Sequence, residues 1–372
     1  MPNTAYSKSL GASFFPASYV KWLESGGMRV VPIPFDLPAD QLSALLKSIN
    51  GALFTGGSST FWSGADLSPY AAQAQVIFDE VKSAAKSGET WPLWGTCLGF
   101  ELIHILGSGL NKSVLTGGWD SENLTETTSF SPAADSSRLW ASNSFAKAAA
   151  ASYAALPIAM NAHTMGISPE NFEGSAPLVE TFDVLATGVD RAGYEFVASI
   201  EGKSLPIYAT QFHAEKVMYE WDPPDAATDH SIESVYANTW PAFFFGGEAR
   251  KNDRRFASQE EEDAALIYNY IAKPGVSSMF VRWGCVAKGG QCSRASSLTP
   301  TLPFPLFQIP GGSVLFPRPV KKWAASLEPC EKREVSHTLL CKRHISKFEA
   351  QQDALPQPEG NVANAICQAL TA

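Results

Sequence analysis

Two apolar periods take turns along the first 270 or so residues of this chain. ASYVKWLESGG, residues 17–27, has the spacing of a short helix closed by Gly26 or Gly27 as a C-cap. MRVVPIP, residues 28–34, is an apolar run of strand length and predicts a buried strand. In PADQLSALLKSIN the residues Leu42, Leu45 and Leu46 recur at helical spacing. GALFTGG predicts a strand that ends in two glycines. SPYAAQAQVIFDEVKSAAKSG predicts a long helix with Ser68 as N-cap and Pro69 in its first turn. TWPLW is the next strand and LGFELIHILGSG the next helix. This strand–helix alternation predicts an α/β fold, a mostly parallel sheet flanked by helices.

Further on, YEFVASIEGKSLPIYATQFHAE contains two strand-like runs around Glu201-Gly202-Lys203, which predicts a hairpin turn there. SQEEEDAALIYNYIA predicts a closing helix opened by a capping box, Ser258 with Glu261 three residues on. From Pro274 both periods stop and Pro, Gly and Ser accumulate. The expected organisation is therefore one α/β domain over residues 1–273 and an irregular extension over 274–372.

Charge sharpens that division. The chain has a net charge of -9; eleven Lys and Arg against six Asp and Glu make the extension +5, which leaves -14 for the rest. An acidic domain lacks the basic footprint that phosphate backbones need, so no nucleic-acid partner is expected. No run of 18 apolar residues occurs, which argues against a membrane-spanning helix. MPNTAYSKSLGASFFPASYV has no apolar core behind a basic start, so no secretory signal is legible, and the chain as written reads as cytoplasmic.

Cys97 is the only cysteine before residue 285. It stands in Gly95-Thr96-Cys97-Leu98-Gly99, a G-x-C-x-G between a predicted strand and a predicted helix. That is the thiol form of a nucleophile elbow. The glycines allow a sharp turn and close approach of neighbouring chains. The helix N-terminus favours a thiolate, and the Leu98 N–H is a natural oxyanion donor. The alternative is a small buried hydrophobe, the usual fate of a free cysteine. A nucleophilic thiol needs a base. His104 lies on the same predicted helix and points away, and His230, His337 and His344 lie in polar or irregular segments. His163, in MNAHTMGIS, is ambiguous. His213 ends a β-prone run, where parallel sheets place site residues, with Glu215 on the same face if the strand continues. Gly56 and Gly57, after the strand ALF, offer a second oxyanion amide.

These segments together resemble the gamma-glutamyl hydrolase family. ASYVKWLESGGMRVVPIPFDL, SINGALFTGGSS, PLWGTCLGFE, PIYATQFHAEKVMYEW and EARKNDRRFASQEEEDAALIY follow the family's order over about residues 7–272. The resemblance implies a class I glutamine-amidotransferase-like, flavodoxin-like three-layer fold. It implies that Cys97 is the nucleophile, His213 the general base and acid, and Glu215 the third member, with Gly57 and Leu98 as the oxyanion hole. Glu101 and His163 would face the substrate. The implied activity is hydrolysis of folylpoly-gamma-glutamates through a thioester, as a thiol protease with no metal or organic cofactor. A homodimer and a vacuolar, lysosomal or extracellular location are also implied, and the sequons at Asn111 and Asn123 fit that route.

The chain departs from the family in three places. Phe212 and Ala214 stand where the family has Trp and Pro around the histidine. The family's opening strand, of the type P-x-I-G-I ahead of the ASYVK helix, has no match. The extension has no counterpart, and its Cys330, Cys341 and His344 fit no zinc module. Two other readings stay open: a glutaminase or glutamine amidotransferase on the same elbow, and a catalytically inactive or truncated homologue.

Overall fold

The computed structural model describes residues 13–221 and 226–270, with the backbone of Ala272–Lys273 and Arg282–Trp283. The chain divides into two compact units, Met1–Thr299 and Pro300–Ala372. All of the second, and the expected extension from 274 apart from Arg282–Trp283, lies outside the described residues.

The helices that matter are α1 (Ala17–Ser25), α2 (Ala39–Leu46), α3 (Pro69–Lys86), α4 (Leu98–Gly107), α5 (Ser144–Ala155), α6 (Ile232–Ala249) and α7 (Gln259–Ala265). The strands are β1 (Ala52–Phe54), β2 (Leu93–Thr96), β3 (Thr116–Glu126), β4 (Ser129–Phe130), β5 (Ala159–Gly166), β6 (Phe182–Val189), β7 (Glu195–Gly202) and β8 (Ile207–Thr210). Local sequence explains the helix starts. The Ser68 hydroxyl accepts the Ala71 N–H at 3.2 Å ahead of α3. Ser258 does the same for Glu261 ahead of α7, where Glu260, Glu261 and Glu262 also complement the helix dipole.

The main sheet runs β1-β2-β8-β7-β6-β4. β1, β2 and β8 are parallel; the pairings beyond β8 are antiparallel. β3 and β5 form a separate antiparallel pair. Alternation along each strand feeds two cores. Leu93, Ile207, Ala209, Val197 and Ile200 pack with α2, α3 and α4, for example against Leu42, Phe78 and Ile103. Trp94, Tyr208, Phe196 and Ala198 pack on the other face with Trp22 of α1, Tyr153 of α5 and Phe245 of α6. The result is a sheet between two helical layers, the α/β class expected from the sequence.

Two expected elements differ. Residues 28–34 join no sheet among the described residues. Pro32 and Pro34 lack the N–H a ladder needs, and the Val30 carbonyl is taken instead by the Ile267 N–H at 2.9 Å. A cavity of about 520 Å³ is lined by Val31 and Ile33 of this segment and by Ala52 and Phe54 of β1. The hairpin turn also falls later than expected: Glu201 pairs with Tyr208 inside the ladder, so the turn is 203–206.

Candidate active site

β2 ends at Thr96 and α4 begins at Leu98, so Cys97 is the whole connection. Its backbone takes φ 51° and ψ -108°, a conformation that an L residue adopts only at a cost of about 1–3 kcal/mol. The surroundings hold it there. The Cys97 N–H donates to the Thr210 carbonyl at 3.0 Å, and its carbonyl accepts the Glu101 N–H at 2.9 Å. The sequence pattern assigned the sharp turn to the flanking glycines; the structure gives it to the cysteine. The glycines provide close approach instead. A Cβ on Gly95 would lie 2.7 Å from the Gly99 carbonyl oxygen, and one on Gly99 would lie 2.1 Å from that of Phe54. α4 thus sits directly on the sheet, which aims its N-terminus and the thiol at the carboxyl ends of β1 and β8.

His213 follows β8. Its N–H donates to the Met160 carbonyl of β5 at 2.8 Å. Its Nδ1 lies 2.6 Å from Glu215 Oε1, and both side chains are buried. Strand alternation is not the reason for this contact. β8 ends at Thr210, and Glu215 takes helical dihedrals (φ -72°, ψ -23°) at the start of the helical turn Lys216–Tyr219. A turn brings the carboxylate under the ring. Burial alone would push the His213 pKa down. The charges of Glu215 and Cys97 and hydrogen bonds to both outweigh it, so the imidazolium is favoured and the pKa is raised to about 10.

Gly56 lies at the meeting point. A Cβ there would sit 2.7 Å from His213 Cε1 and 3.3 Å from Cys97 Cβ. Next to it, Gly57 has φ 143°, a conformation that favours glycine. Leu98 is the first residue of α4, where N–H groups have no partner inside the helix. Thiol, imidazole and both proposed oxyanion amides therefore come from three separate segments, 56–57, 97–98 and 213, to one place.

Glu101, one turn into α4, is 5% exposed. Burial raises its carboxyl to about 7, against weaker opposing effects of Gln211, whose Nε2 donates to it at 3.3 Å, and of His213. His163, on β5, has its Nδ1 2.8 Å from the Met165 carbonyl. A carbonyl only accepts, so Nδ1 carries the proton. Burial, reinforced by the charge of His213, lowers its pKa to about 4 despite the Met165 bond. The ring is therefore neutral, and its buried Nε2 has no partner among the described residues. The Ala162 carbonyl next to it lies 3.9 Å from Cys97 Sγ, which puts β5 along the thiol. His104 is fully buried with Nδ1 bonded to the Phe100 carbonyl, so it is structural. His230 stacks on Trp221 at 3.7 Å between ring centroids. His337 and His344 lie outside the described residues.

Sequence reading missed several residues here. Tyr19 of α1 reaches His213 Nδ1 at 3.3 Å and accepts the Gly56 N–H at 2.7 Å. Gln211 and Tyr70 place a carbonyl oxygen and a hydroxyl in the interior without a partner among the described residues. Lys216 and Glu220 form a buried pair at 2.6 Å, and Ser18 also donates to Glu220. Tyr19 and Ser18 fall within ASYVK, and Glu220 within YEW, so the resemblance covered the positions without assigning them. No local period marks them.

The chain is similar to known proteins over most of the described residues. Residues 2–215 match the family model for Peptidase C26. Gamma-glutamyl hydrolase B of Dictyostelium discoideum is 39% identical over 266 residues, covering 70% of this chain and 73% of that protein. The Gamma-glutamyl hydrolase of Homo sapiens is 38% identical over 265 residues, 71% of this chain and 79% of that one. That of Bos taurus is 37% identical over 263 residues, with the same coverage.

Proposed function

The chain belongs to the Peptidase C26 family and is a hydrolase of gamma-glutamyl bonds, and from that premise we propose that Cys97 is its nucleophile and poly-gamma-glutamylated folates its substrates. The observation that carries the proposal is the convergence of Cys97 and His213 around Gly56. In the proposed first step the thiolate of Cys97 bonds to the gamma-carbonyl carbon. The carbonyl electron pair moves onto oxygen, which accepts hydrogen bonds from the Gly57 and Leu98 amides. The oxyanion collapses, the C–N bond breaks, and the imidazolium of His213 gives its Nε2 proton to the leaving amine. A thioester remains. His213, now neutral, takes a proton from water, which attacks the thioester and expels the thiolate. Glu215 holds the ring by Nδ1 and balances its charge throughout.

The polar groups left over fit a glutamyl unit. Neutral His163 offers an acceptor at Nε2, suited to an amide N–H of the substrate. Glu101 and Gln211 offer a polar wall at the start of α4. We assign the chemistry to a domain over residues 1–273. The homodimer and the vacuolar, lysosomal or extracellular location belong to the same proposal; exposed Asn111, within a sequon, supports the location.

The test is Cys97→Ala assayed on a polyglutamylated folate, with ammonia release from glutamine in parallel. The expected result is a loss of turnover of about 10⁴-fold or more with a preserved thermal transition. Wild-type turnover in the Cys97→Ala protein refutes the nucleophile. Ammonia release that outruns polyglutamate cleavage refutes the substrate.

A further inference from the structure

We infer that Tyr19 is a positioning residue for this reaction, its single hydroxyl tying the oxyanion loop to the His213–Glu215 pair. The inference rests on the thiol mechanism proposed above.

The argument is a count of hydrogens and lone pairs. A phenol has one hydrogen to give and two lone pairs to fill. One lone pair takes the Gly56 N–H at 2.7 Å. His213 Nδ1 must point its own hydrogen at Glu215, 2.6 Å away, because a carboxylate only accepts. Nδ1 therefore cannot accept from Tyr19 at 3.3 Å; at most it shares its hydrogen with the second lone pair. The phenol hydrogen is left to point toward the negative charge of Glu215, one of the charges that keep it on the oxygen. That hydrogen is always available, since burial, with the charges of Glu215 and Cys97, raises the phenol well above its ordinary range.

Three consequences follow for the reaction. The Gly56 N–H is committed to Tyr19, so it is not an oxyanion donor, and the amide of Gly57 is the one left for that task. The same bond anchors the residue before Gly57, so Tyr19 sets where that donor sits. The same hydroxyl that takes the Gly56 N–H lies 3.3 Å from His213 Nδ1, so base and oxyanion loop keep one fixed spacing. Tyr19 is itself anchored. It is buried in α1, whose Trp22 bonds the Asn238 carbonyl of α6 at 3.2 Å and whose Ser18 bonds Glu220 beyond the histidine turn. Tyr19 itself does not touch the substrate; it acts through Gly57 and His213.

Tyr19→Phe removes one oxygen and keeps the ring in the core. Complete loss of an oxyanion donor costs about 10²–10³-fold in kcat; a misplaced donor is expected to cost about 10–100-fold, with KM within about threefold. A gamma-glutamyl aldehyde supplies the readout that a purely structural role would leave unmoved. It forms a hemithioacetal with Cys97, and its oxygen occupies the oxyanion position. Its affinity should fall in Tyr19→Phe by the same factor as kcat. Below the melting temperature, kcat and aldehyde affinity within threefold of wild type overturn the inference. A second measurement needs no variant: the Gly56 amide, in a loop, should exchange with solvent as slowly as the central strands, and rapid exchange also overturns it. Cys97→Ala, run alongside, separates the failures. Turnover without the thiol sinks the mechanism; a dead Cys97→Ala protein beside a fully active Tyr19→Phe protein sinks only the role of Tyr19.

Discussion

Replacing Glu101 by Gln should make this protein more stable, by a margin that opens above about pH 4.5 and is full above about pH 7. Glu101 lies on the buried side of α4, where Gln211 Nε2 donates to its carboxylate at 3.3 Å. Desolvation dominates, and its pKa rises from 4.5 to about 7. A raised folded pKa means that the folded state holds the proton more tightly than the unfolded chain. The contribution of Glu101 is therefore full below pH 4.5, falls between pH 4.5 and 7, and levels off above. A shift of this size is worth about 3 kcal/mol at pH 8 and only a few tenths of a kcal/mol at pH 4. Gln keeps the shape and can still accept from Gln211, but never ionises. Thermal unfolding of both proteins from pH 4 to pH 8 is the assay. The curves should coincide at pH 4 and diverge to about 6–12 °C in favour of Glu101→Gln at pH 8. A gap already present at pH 4 and constant with pH would refute the reasoning, since it would come from packing rather than from ionisation.

Three further outcomes are expected. The imidazolium of His213, with its pKa raised to about 10, is stabilised below about pH 6.5 and loses that advantage as pH rises through 10, so the alkaline limb of kcat/KM should fall near pH 10; a limb near pH 6.5 would mean that Glu215 and Cys97 do not hold the proton. Gly99→Ala should yield little folded protein, because its Cβ would lie 2.1 Å from the Phe54 carbonyl oxygen, whereas exposed Gly64→Ala, whose Cβ meets nothing within 4 Å, should lose only what its φ of 65° demands; denaturant unfolding compares them, and equal midpoints contradict the close approach of α4 to β1. Arg254→Met removes a two-pronged bond to Glu89, an ion pair at 2.8 Å to Glu80 and a bond to the Leu46 carbonyl, and should destabilise by about 2–3 kcal/mol; a loss below about 0.5 kcal/mol in urea unfolding would show the cluster to be ornamental.

Much of the scaffold was legible because its signals are local. The apolar spacing of ADQLSALL, the Ser68-Pro69 start of α3 and the Ser258 cap of α7 act within one or two turns of backbone, and each appears where its sequence puts it. MRVVPIP failed for the opposite reason. An apolar run becomes a strand only by bonding another strand's free edge; β1 offers one, but Val31 and Ile33 share a cavity with it rather than a ladder, and Pro32 and Pro34 have no N–H to give. The β3–β5 pair, which lays Ala162 and His163 along the thiol, was illegible too, since its ladder joins residues about forty apart through a sequence with little alternation.

The sequence by itself determined the chemistry on offer. One early cysteine between two glycines, and a histidine two residues before a glutamate, limit the thiol and imidazole candidates whatever the fold does with them. Only the tertiary structure decided how they work together. It put the strained dihedral on Cys97 rather than on its glycines, and it joined Glu215 to His213 through a turn rather than a strand face. It also brought Tyr19 both to Gly56 and to His213, which lies 194 residues further along the chain. Such contacts depend on distances in space between segments with no shared local pattern, and those distances exist only once the two cores have closed on the sheet.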